Sequence, residues 1–408
     1  AMIGALGAAV VALSLPEVGG LDGLLSHPVV STKLSILPDF ANLSWQQLLP
    51  LFIIPIAVQW WSVWYPGAEP GGGGYIAQRM LSAKDEKNAI GATLLFNAAH
   101  YALRPWPWII VALASIIVFP ELSDIQAKFP NVEAGILKDD LAYPAMLTFL
   151  PAGLLGIVMA SLIAAFMSTI STHLNWGSSY VVNDFYRRFV KPEASDRELV
   201  MVGRLSTVLL MAMAALLAPW LENAKRGFDL MLQIGAGTGL LFILRWFWWR
   251  INAWSEITAM VVSFLVALYF QVLHPALGLP EIATEWQLII GVSITTLAWV
   301  VVTFMSPGTD PQVLRSFFRQ IRPAGGGWQK VVDDAAAEGQ DLGQGEGSLS
   351  QGILAMVVGA FTVYGALFAV GFWIYGRTTQ ALILTVLAVI GTWGLFRLWG
   401  QMPTRPAD

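Results

Sequence analysis

Residues 152–180, AGLLGIVMASLIAAFMSTISTHLNWGSSY, decide the fold class of this chain. They contain no Asp, Glu, Lys or Arg, and they exceed the ~20 apolar residues that cross a bilayer as a helix. The second half nevertheless carries many side-chain oxygens, which are unfavourable in lipid unless they find polar partners. The segment therefore predicts a membrane-spanning helix whose polar side chains have a partner.

The rest of the 408-residue chain is also apolar. Hydrophobic residues make up 56% of it and charged residues 12%, whereas about a quarter of the residues in soluble domains are charged. An all-α, polytopic transmembrane helix bundle is predicted, with one of its ten segments broken. The segments are 1–15, 46–83, 88–119, 145–186, 200–220, 227–249, 253–274, 285–305, 352–376 and 379–400. The absence of cysteine excludes disulfides, thiolate metal sites and thiol catalysis.

Basic residues indicate the orientation of the bundle. When alternate connections are assigned to one side, that side receives sixteen of the 23 Lys and Arg residues. The other side receives six, and Arg104 falls within a span. Because basic residues concentrate on the cytoplasmic side, the richer side and the C-terminus are predicted to be cytoplasmic, in a multi-pass protein of the cell membrane.

The longest connection, residues 306–351, lies on the basic side. Residues 310–323, DPQVLRSFFRQIRP, place apolar residues on one helical face and arginines elsewhere. This pattern fits a helix on the membrane surface and equally a helix packed on the bundle. The glycine-rich, acidic residues 335–352 predict a flexible linker.

The oxygens of the opening segment are organised on one side of the predicted helix. At 3.6 residues per turn, a narrow stripe contains Ser161, Ala165, Ser168, Thr172, Asn175 and Ser179, flanked by Thr169 and Ser171. Such residues permit close helix packing, with hydroxyls bonded to their own backbone. Alternatively, the Ala165 carbonyl and the Ser168 and Thr169 hydroxyls supply oxygen ligands for a cation such as Na⁺. The residues alone leave both interpretations open.

A second anomaly interrupts the segment 46–83. Two prolines and five glycines lie between Pro66 and Gly74, and they cannot continue a stable helix. Broken backbone is not tolerated in contact with lipid, and discontinuous helices are where transporters bind solute and ion. An ordinary loop outside the membrane is the alternative.

Two ionisable residues are predicted near membrane depth, Glu69 in the break and Arg104 in the next span. Such groups are unfavourable in lipid and often functional. We expect both to face a cavity and to orient a polar solute as a pair. The alternative is that Arg104 caps a break at residues 104–108, RPWPW, and that Glu69 is solvated.

These stretches resemble a known family. Residues 75–89, YIAQRMLSAKDEKNA, are similar to the stretch after the broken solute-site helix of the sodium/solute symporters, which include sodium/glucose and sodium/proline cotransporters. Residues 153–189 are similar to the sodium-site helix of that family. The resemblance covers roughly residues 1–305. It implies a leucine-transporter-like fold of two inverted five-helix repeats that couples solute uptake to the sodium gradient.

The resemblance implies site residues by position. Ala165 (through its carbonyl), Ser168 and Thr169 match the ligands of the common sodium ion, and Ser171 and Thr172 match positions that some members use for a second one. Candidates for the solute cavity are Trp64, Glu69, Gly73, Tyr75, Arg104 and Gln233. Gly73 stands where sugar transporters have Asn, so sugar specificity is not carried over.

The resemblance also implies an organisation. Residues 1–15 would end the first repeat, 16–250 would form the second repeat with the broken and sodium-site helices, and 251–305 would form two additional helices. Residues 306–351 would be a cytoplasmic linker with a surface helix, and 352–408 would form two C-terminal helices and a tail. The missing N-terminal helices, from the same or another chain, would complete the sodium site, so this fragment alone is not expected to transport.

Two functions from different classes fit the sequence. The first is secondary active transport, in which a small polar organic solute is carried with Na⁺ as the coupling ion by alternating access. The second is a transporter-like structural or sensory subunit of a larger membrane complex. An enzyme is not indicated, because no metal cluster, nucleophile–base set or phosphate loop stands out. No basic cluster argues for nucleic acid.

Overall fold

The computed structural model confirms an all-α chain. It describes residues 2–35, 40, 43–59, 61, 79–133, 135–220, 224–345 and 348–400, and these ranges contain no strand. Within them, seven helices are long and apolar enough to cross a membrane, and three shorter apolar helices accompany them. Together these helices match the ten predicted segments in order.

The helices are numbered in chain order. They are α1 (Met2–Ser14), α2 (Gly20–Ser26), α3 (Pro28–Lys33), α4 (Trp45–Leu48), α5 (Glu86–Asn97), α6 (Trp106–Val118), α7 (Leu122–Lys128), α8 (Ala142–Leu147), α9 (Ala152–Ser179), α10 (Asp196–Leu217), α11 (Ala224–Leu244), α12 (Ala253–Leu268), α13 (Thr284–Met305), α14 (Pro311–Ile321), α15 (Gln329–Ala337), α16 (Leu349–Ile374) and α17 (Thr378–Gly400). Wider π-helical turns follow α4 (Leu49–Ile53 and Pro55–Gln59), α5 (Ala98–Leu103), α9 (Tyr180–Val190) and α12 (Tyr269–Leu273).

The chain divides into two compact units, and the first consists of Ala1–Ser35 and Arg104–Arg226. Within it, α1 packs against α6 and α9. The buried face of α1 consists of Gly4, Ala5, Ala8, Ala9 and Ala12. A Cβ atom added to Gly4 would lie 3.1 Å from Cγ2 of Val158 on α9. Small residues therefore let these backbones approach closely, as is usual between membrane helices.

The second unit consists of Ile36–Leu103 and Gly227–Asp408. Here α12 faces α13 through buried small residues, and the hydroxyls of Ser255 and Thr303 are 2.7 Å apart. On α11, a Cβ atom added to Gly237 would lie 2.7 Å from Cβ of Thr295. Apolar residues of the α4 region, including Leu49 and Ile54, pack with α11 and α13. Helices α11, α12 and α13 thus form one packed group.

The connection after α13 folds onto the turn that joins α11 to α12. The indole Nε1 of Trp328 donates to the Trp246 carbonyl at 3.0 Å, and the backbone N–H of Trp249 donates to the Gly327 carbonyl at 3.3 Å. Phe317 stacks on Trp328 with ring centroids 5.1 Å apart. Helix α14 therefore packs on Trp328, and its placement on the membrane surface or on the bundle stays a prediction.

The same connection differs from the predicted linker, because residues 335–345 do not behave as a flexible chain. Helix α15 runs to Ala337, and Gly339, with a φ of 76°, supplies the left-handed residue that commonly follows a helix end. Leu342 is only 4% exposed and belongs to the cluster of Leu314, Phe318, Trp328 and Val331. The prediction was wrong here because an alanine-rich helix and one apolar anchor outweigh the glycine content.

An ion pair between a buried arginine and an exposed glutamate stabilises this folded connection. Arg315 Nη1 donates to Glu338 Oε2 at 2.6 Å, and the Arg315 side chain is 8% exposed. The bond lowers the pKa of the Glu338 carboxyl below its ordinary value. A carboxyl with a lowered folded-state pKa stabilises the fold above its unfolded pKa, and this contribution is lost as the pH falls through the folded pKa.

Substitution Glu338→Gln is expected to lower the thermal unfolding midpoint at pH 7, because it leaves the buried Arg315 without its anion. It should also reduce the further loss of stability on acidification to pH 3. The control is Asp333→Asn, which alters an exposed side chain that accepts from Gln329 Nε2 at 2.9 Å, and surface contacts of this kind contribute little. Equal midpoints of the two variants at pH 7 would contradict this prediction.

Candidate functional site

The predicted sodium site lies on one continuous helix. Helix α9 begins after Pro151 and runs from Ala152 to Ser179, and the short helix α8 precedes it. Glycine lets the end of α9 approach α10, since a Cβ atom added to Gly177 would lie 3.0 Å from Cδ1 of Leu210. The candidate ligands therefore have the fixed helical spacing that the sequence predicts.

Side-chain contacts hold the far end of α9 onto α10. Tyr186 donates its hydroxyl to Glu198 Oε1 at 2.7 Å, and Lys191 Nζ donates to Glu198 Oε2 at 2.7 Å. Ser195 caps α10 by accepting from the backbone N–H of Glu198. The hairpin between α9 and α10 is thereby closed at this end.

The hydroxyls of Thr169 and Thr172 donate their protons to carbonyls of their own helix. Thr169 Oγ1 donates to the Ala165 carbonyl at 3.0 Å, and Thr172 Oγ1 donates to the Ser168 carbonyl at 2.8 Å. A hydroxyl that donates in this way keeps its oxygen lone pairs for another partner. The Ala165 carbonyl differs, because it accepts from Thr169 in addition to the regular helical N–H. It therefore has less free acceptor capacity for a cation than the hydroxyl oxygens have.

The middle of the stripe is open. Ala165, Ser168, Thr169 and Ser171 are exposed, and Thr172 is half-buried. Towards the ends, Ser161 and Ser179 are half-buried and Ser178 is buried. Every residue from Ile163 to Thr169 is exposed, the apolar ones included, so exposure alone does not single out the oxygens. The sodium assignment of these five residues stays a prediction.

Most of the predicted solute cavity falls outside the described residues. Trp64, Glu69, Gly73 and Tyr75, and with them the break at residues 66–74, belong to the undescribed range 62–78. The described first half, α4 with its two π-helical turns, ends at Gln59. The break and the pairing of Glu69 with a cation therefore stay predictions.

Arg104 lies in a turn between two helical segments. It follows the π-helical turn Ala98–Leu103 and precedes Pro105, which opens α6. Its exposed guanidinium lies 5.8 Å from the centroid of the Trp108 ring. Both predicted roles of Arg104, orienting a solute and capping a break at the RPWPW stretch, stay predictions.

Gln233 on α11 is 7% exposed and is the centre of a chain of side-chain amides. Gln271 Nε2 donates to Gln233 Oε1 at 3.2 Å, and Gln233 Nε2 donates to Gln287 Oε1 at 2.8 Å. Gln287 Nε2 donates to the Ile282 carbonyl at 2.7 Å. We name Gln271, Gln233 and Gln287 the carboxamide relay.

The sequence alone did not indicate Gln271 and Gln287. Each is a single amide in an apolar context, YFQVL at 269–273 and EWQLII at 285–290. Isolated amides within predicted spans tend to bond across helices, and this signal could have found them. Among the described residues, no group of three or more His, Cys, Asp or Glu side chains is placed to hold a metal ion.

Comparison with known proteins gives three informative relatives. The sodium/glucose cotransporter of Vibrio parahaemolyticus is 27% identical over 270 residues, which are 64% of this chain and 49% of that protein. The sodium/myo-inositol cotransporter 2 of Oryctolagus cuniculus is 28% identical over 298 residues, 67% of this chain and 42% of that protein. The sodium/mannose cotransporter SLC5A10 of Bos taurus is 30% identical over 220 residues, 49% of this chain and 36% of that protein.

The chain spans about half or less of the length of these curated relatives. A match to the description "Sodium:solute symporter family" covers residues 8–263, which is more than half of the chain. The matched region includes α9 with its hydroxyl stripe and α11 with Gln233. This match confirms the resemblance that the two sequence stretches indicate: the chain belongs to the sodium:solute symporter family.

Proposed function

We propose that the full-length protein containing this chain is a sodium-coupled symporter of a small polar organic solute. The observation that carries this proposal is the family match over α9, an apolar helix on which Ser168 and Thr169 place their oxygens side by side. A hard cation requires several oxygen ligands, and one helix supplies only part of them. The remaining ligands would come from helices of the same or another chain that cover this face.

Sodium would act as a cotransported substrate that links two parts of the protein. Binding between α9 and the covering helices would favour the conformation in which these elements are closed on each other. A ligand shifts such an equilibrium only through its different affinity for the two states. Occupation of the ion site would thereby favour one state of an alternating-access cycle.

The class of solute is proposed from the relatives and from Gln233. The three relatives are named for glucose, myo-inositol and mannose, which are neutral and rich in hydroxyls. An amide can both donate to and accept from a hydroxyl, so Gln233 suits such a solute. We therefore propose a neutral, hydroxyl-rich solute of the sugar or polyol class, with no particular sugar implied, since Gly73 stands where sugar transporters have Asn.

The test is uptake by the purified full-length protein in proteoliposomes. Radiolabelled D-glucose, D-mannose and myo-inositol are supplied with an inward sodium gradient, and with an equal potassium gradient as the control. We expect at least one solute to accumulate only with sodium. Absence of sodium-dependent uptake, together with stable co-purification of another membrane protein, would favour a structural or sensory subunit instead.

The basic end of the bundle is proposed to be cytoplasmic. Arg250 donates to the Ser306 carbonyl at 2.9 Å, so the α11–α12 turn and the start of the connection after α13 lie at the same end. Both carry arginines, as the charge distribution requires. The C-terminus follows on the same side after the hairpin of α16 and α17.

Because the chain has no cysteine, an introduced cysteine is the only thiol of this chain that a maleimide can label, and its labelling reports the orientation. A Ser316→Cys variant, at an exposed position of α14, is expected to resist a membrane-impermeant maleimide in intact cells and to react after permeabilisation. A Ser123→Cys variant on exposed α7 should react in intact cells. The reverse labelling pattern would overturn the orientation.

A further inference from the structure

We propose that Gln271 and Gln287 are positioning residues for Gln233, fixing the orientation of its carboxamide toward the solute. This inference rests on the proposed function, in which Gln233 contacts the solute. The two flanking glutamines lie on α13 and on the π-helical turn after α12, which are outside the predicted repeats. The additional helices would therefore influence recognition without touching the solute.

The direction of the relay is set at its backbone end. The Ile282 carbonyl can only accept, so Gln287 must turn its Nε2 toward it, at 2.7 Å. This orientation presents Gln287 Oε1 to Gln233, which must then donate its Nε2 across 2.8 Å. Gln233 Oε1 is consequently turned toward the donor on Gln271. One backbone carbonyl thus selects between the two flipped orientations of the central amide.

The surroundings make the alternative orientation unfavourable. Leu232 and Leu288, the immediate neighbours of Gln233 and Gln287, are buried in a cluster with Leu49 and Ile54. In such a setting, a flipped amide would place oxygen against oxygen and leave buried polar atoms unpaired, at the cost of their desolvation. The π-helical turn Tyr269–Leu273 carries Gln271, and such turns frequently occur at functional sites.

The relay leaves a defined bonding capacity on Gln233. A primary amide has two N–H donors and two oxygen lone pairs. Among the described residues, Gln233 uses one N–H on Gln287 and one lone pair on Gln271, which leaves one donor and one acceptor without a partner in that part of the chain. A hydroxyl, which both donates and accepts, can satisfy both, and the fixed orientation determines which edge meets it.

The experiment compares Gln271→Met and Gln287→Met in the full-length protein, since methionine keeps the side-chain length and removes the amide. We expect the uptake KM for the most active of D-glucose, D-mannose and myo-inositol to rise about three- to tenfold per lost neutral hydrogen bond. The maximal rate and the sodium half-saturation should stay within about twofold. The control is Gln126→Met on α7, which removes one hydrogen bond, donated by the side-chain amide to the Val132 carbonyl at 2.9 Å.

A double-mutant cycle separates positioning from general destabilisation. In a Gln233→Met background, neither flanking substitution should raise KM further, because the group that they orient is gone. Additive effects in that background, or a lower thermal midpoint with unchanged KM, would overturn the proposal. If the Gln287→Met variant does not elute as a folded protein in size-exclusion chromatography, the Gln271→Met variant alone tests the proposal. Absence of sodium-dependent uptake by the unmodified protein would instead refute the proposed function, and the positioning role with it.

Discussion

Replacing Ser168 and Thr169 by alanine in the full-length protein is expected to abolish sodium-dependent uptake, and each single replacement is expected to weaken sodium binding. Thr169 already donates its proton to the Ala165 carbonyl, so its lone pairs are available to a cation. Removing an oxygen ligand from a hard ion leaves a coordination position unfilled. Because loss of an outer-shell residue costs about 10- to 100-fold in metal affinity, loss of a direct ligand should cost at least that.

The measurement is the sodium concentration that gives half-maximal uptake at fixed solute. Two matched controls remove hydroxyls with the same local bond elsewhere in the chain. Thr392 on α17 donates to the Ala388 carbonyl at 2.8 Å, and Ser293 on α13 donates to the Ile289 carbonyl at 2.8 Å. Alanine at either control position should leave sodium dependence unchanged. An unaltered sodium half-saturation in Ser168→Ala and Thr169→Ala would refute the ion site.

Substitution Gly327→Ala is expected to detach the connection after α13 from the α11–α12 turn. A Cβ atom at residue 327 would collide with the backbone carbonyl of Phe247, and a backbone atom cannot move aside as a flexible side chain can. Overpacking of this kind costs typically about 1–3 kcal/mol. The Trp249–Gly327 hydrogen bond and the Trp328 indole bond to Trp246 would be strained in addition.

The neighbouring glycine provides the control, because a Cβ atom at Gly326 would meet no atom within 4 Å. Thermal unfolding and limited proteolysis of residues 306–345 are therefore compared for Gly326→Ala and Gly327→Ala. We expect Gly326→Ala to resemble the unmodified protein and Gly327→Ala to be cleaved faster and to unfold at lower temperature. Indistinguishable behaviour of the two variants would show that this close approach does not stabilise the fold.

The helices were predictable from sequence because length and hydropathy determine them locally. Segment 285–305 corresponds to Thr284–Met305, and segment 379–400 to Thr378–Gly400. The packing of 326–328 was not predictable, because it depends on a backbone approach between segments about 80 residues apart. Glycine content alone, which predicted a flexible linker, does not distinguish a glycine that is loose from one that is tightly packed.

The candidate site divides in the same way. The hydroxyl stripe repeats along one helix, so its geometry follows from spacing alone, and the structure reproduces it on α9. The partners of Gln233 are 38 and 54 residues away along the chain, and no periodicity relates them. A polar residue in an apolar span indicates that a partner exists, whereas the identity of that partner follows only from how the helices pack.

The carboxamide relay has an electrical consequence, because amides carry no net charge and do not titrate in the physiological range. Recognition through Gln233 would then be insensitive to proton concentration and to membrane voltage. The work done by the voltage, about 2.3 kcal/mol per elementary charge for each 100 mV, would act on the accompanying cation and on charged side chains at membrane depth, and not on the relay. For a neutral solute, the charge moved per transported molecule would then equal the number of cotransported ions.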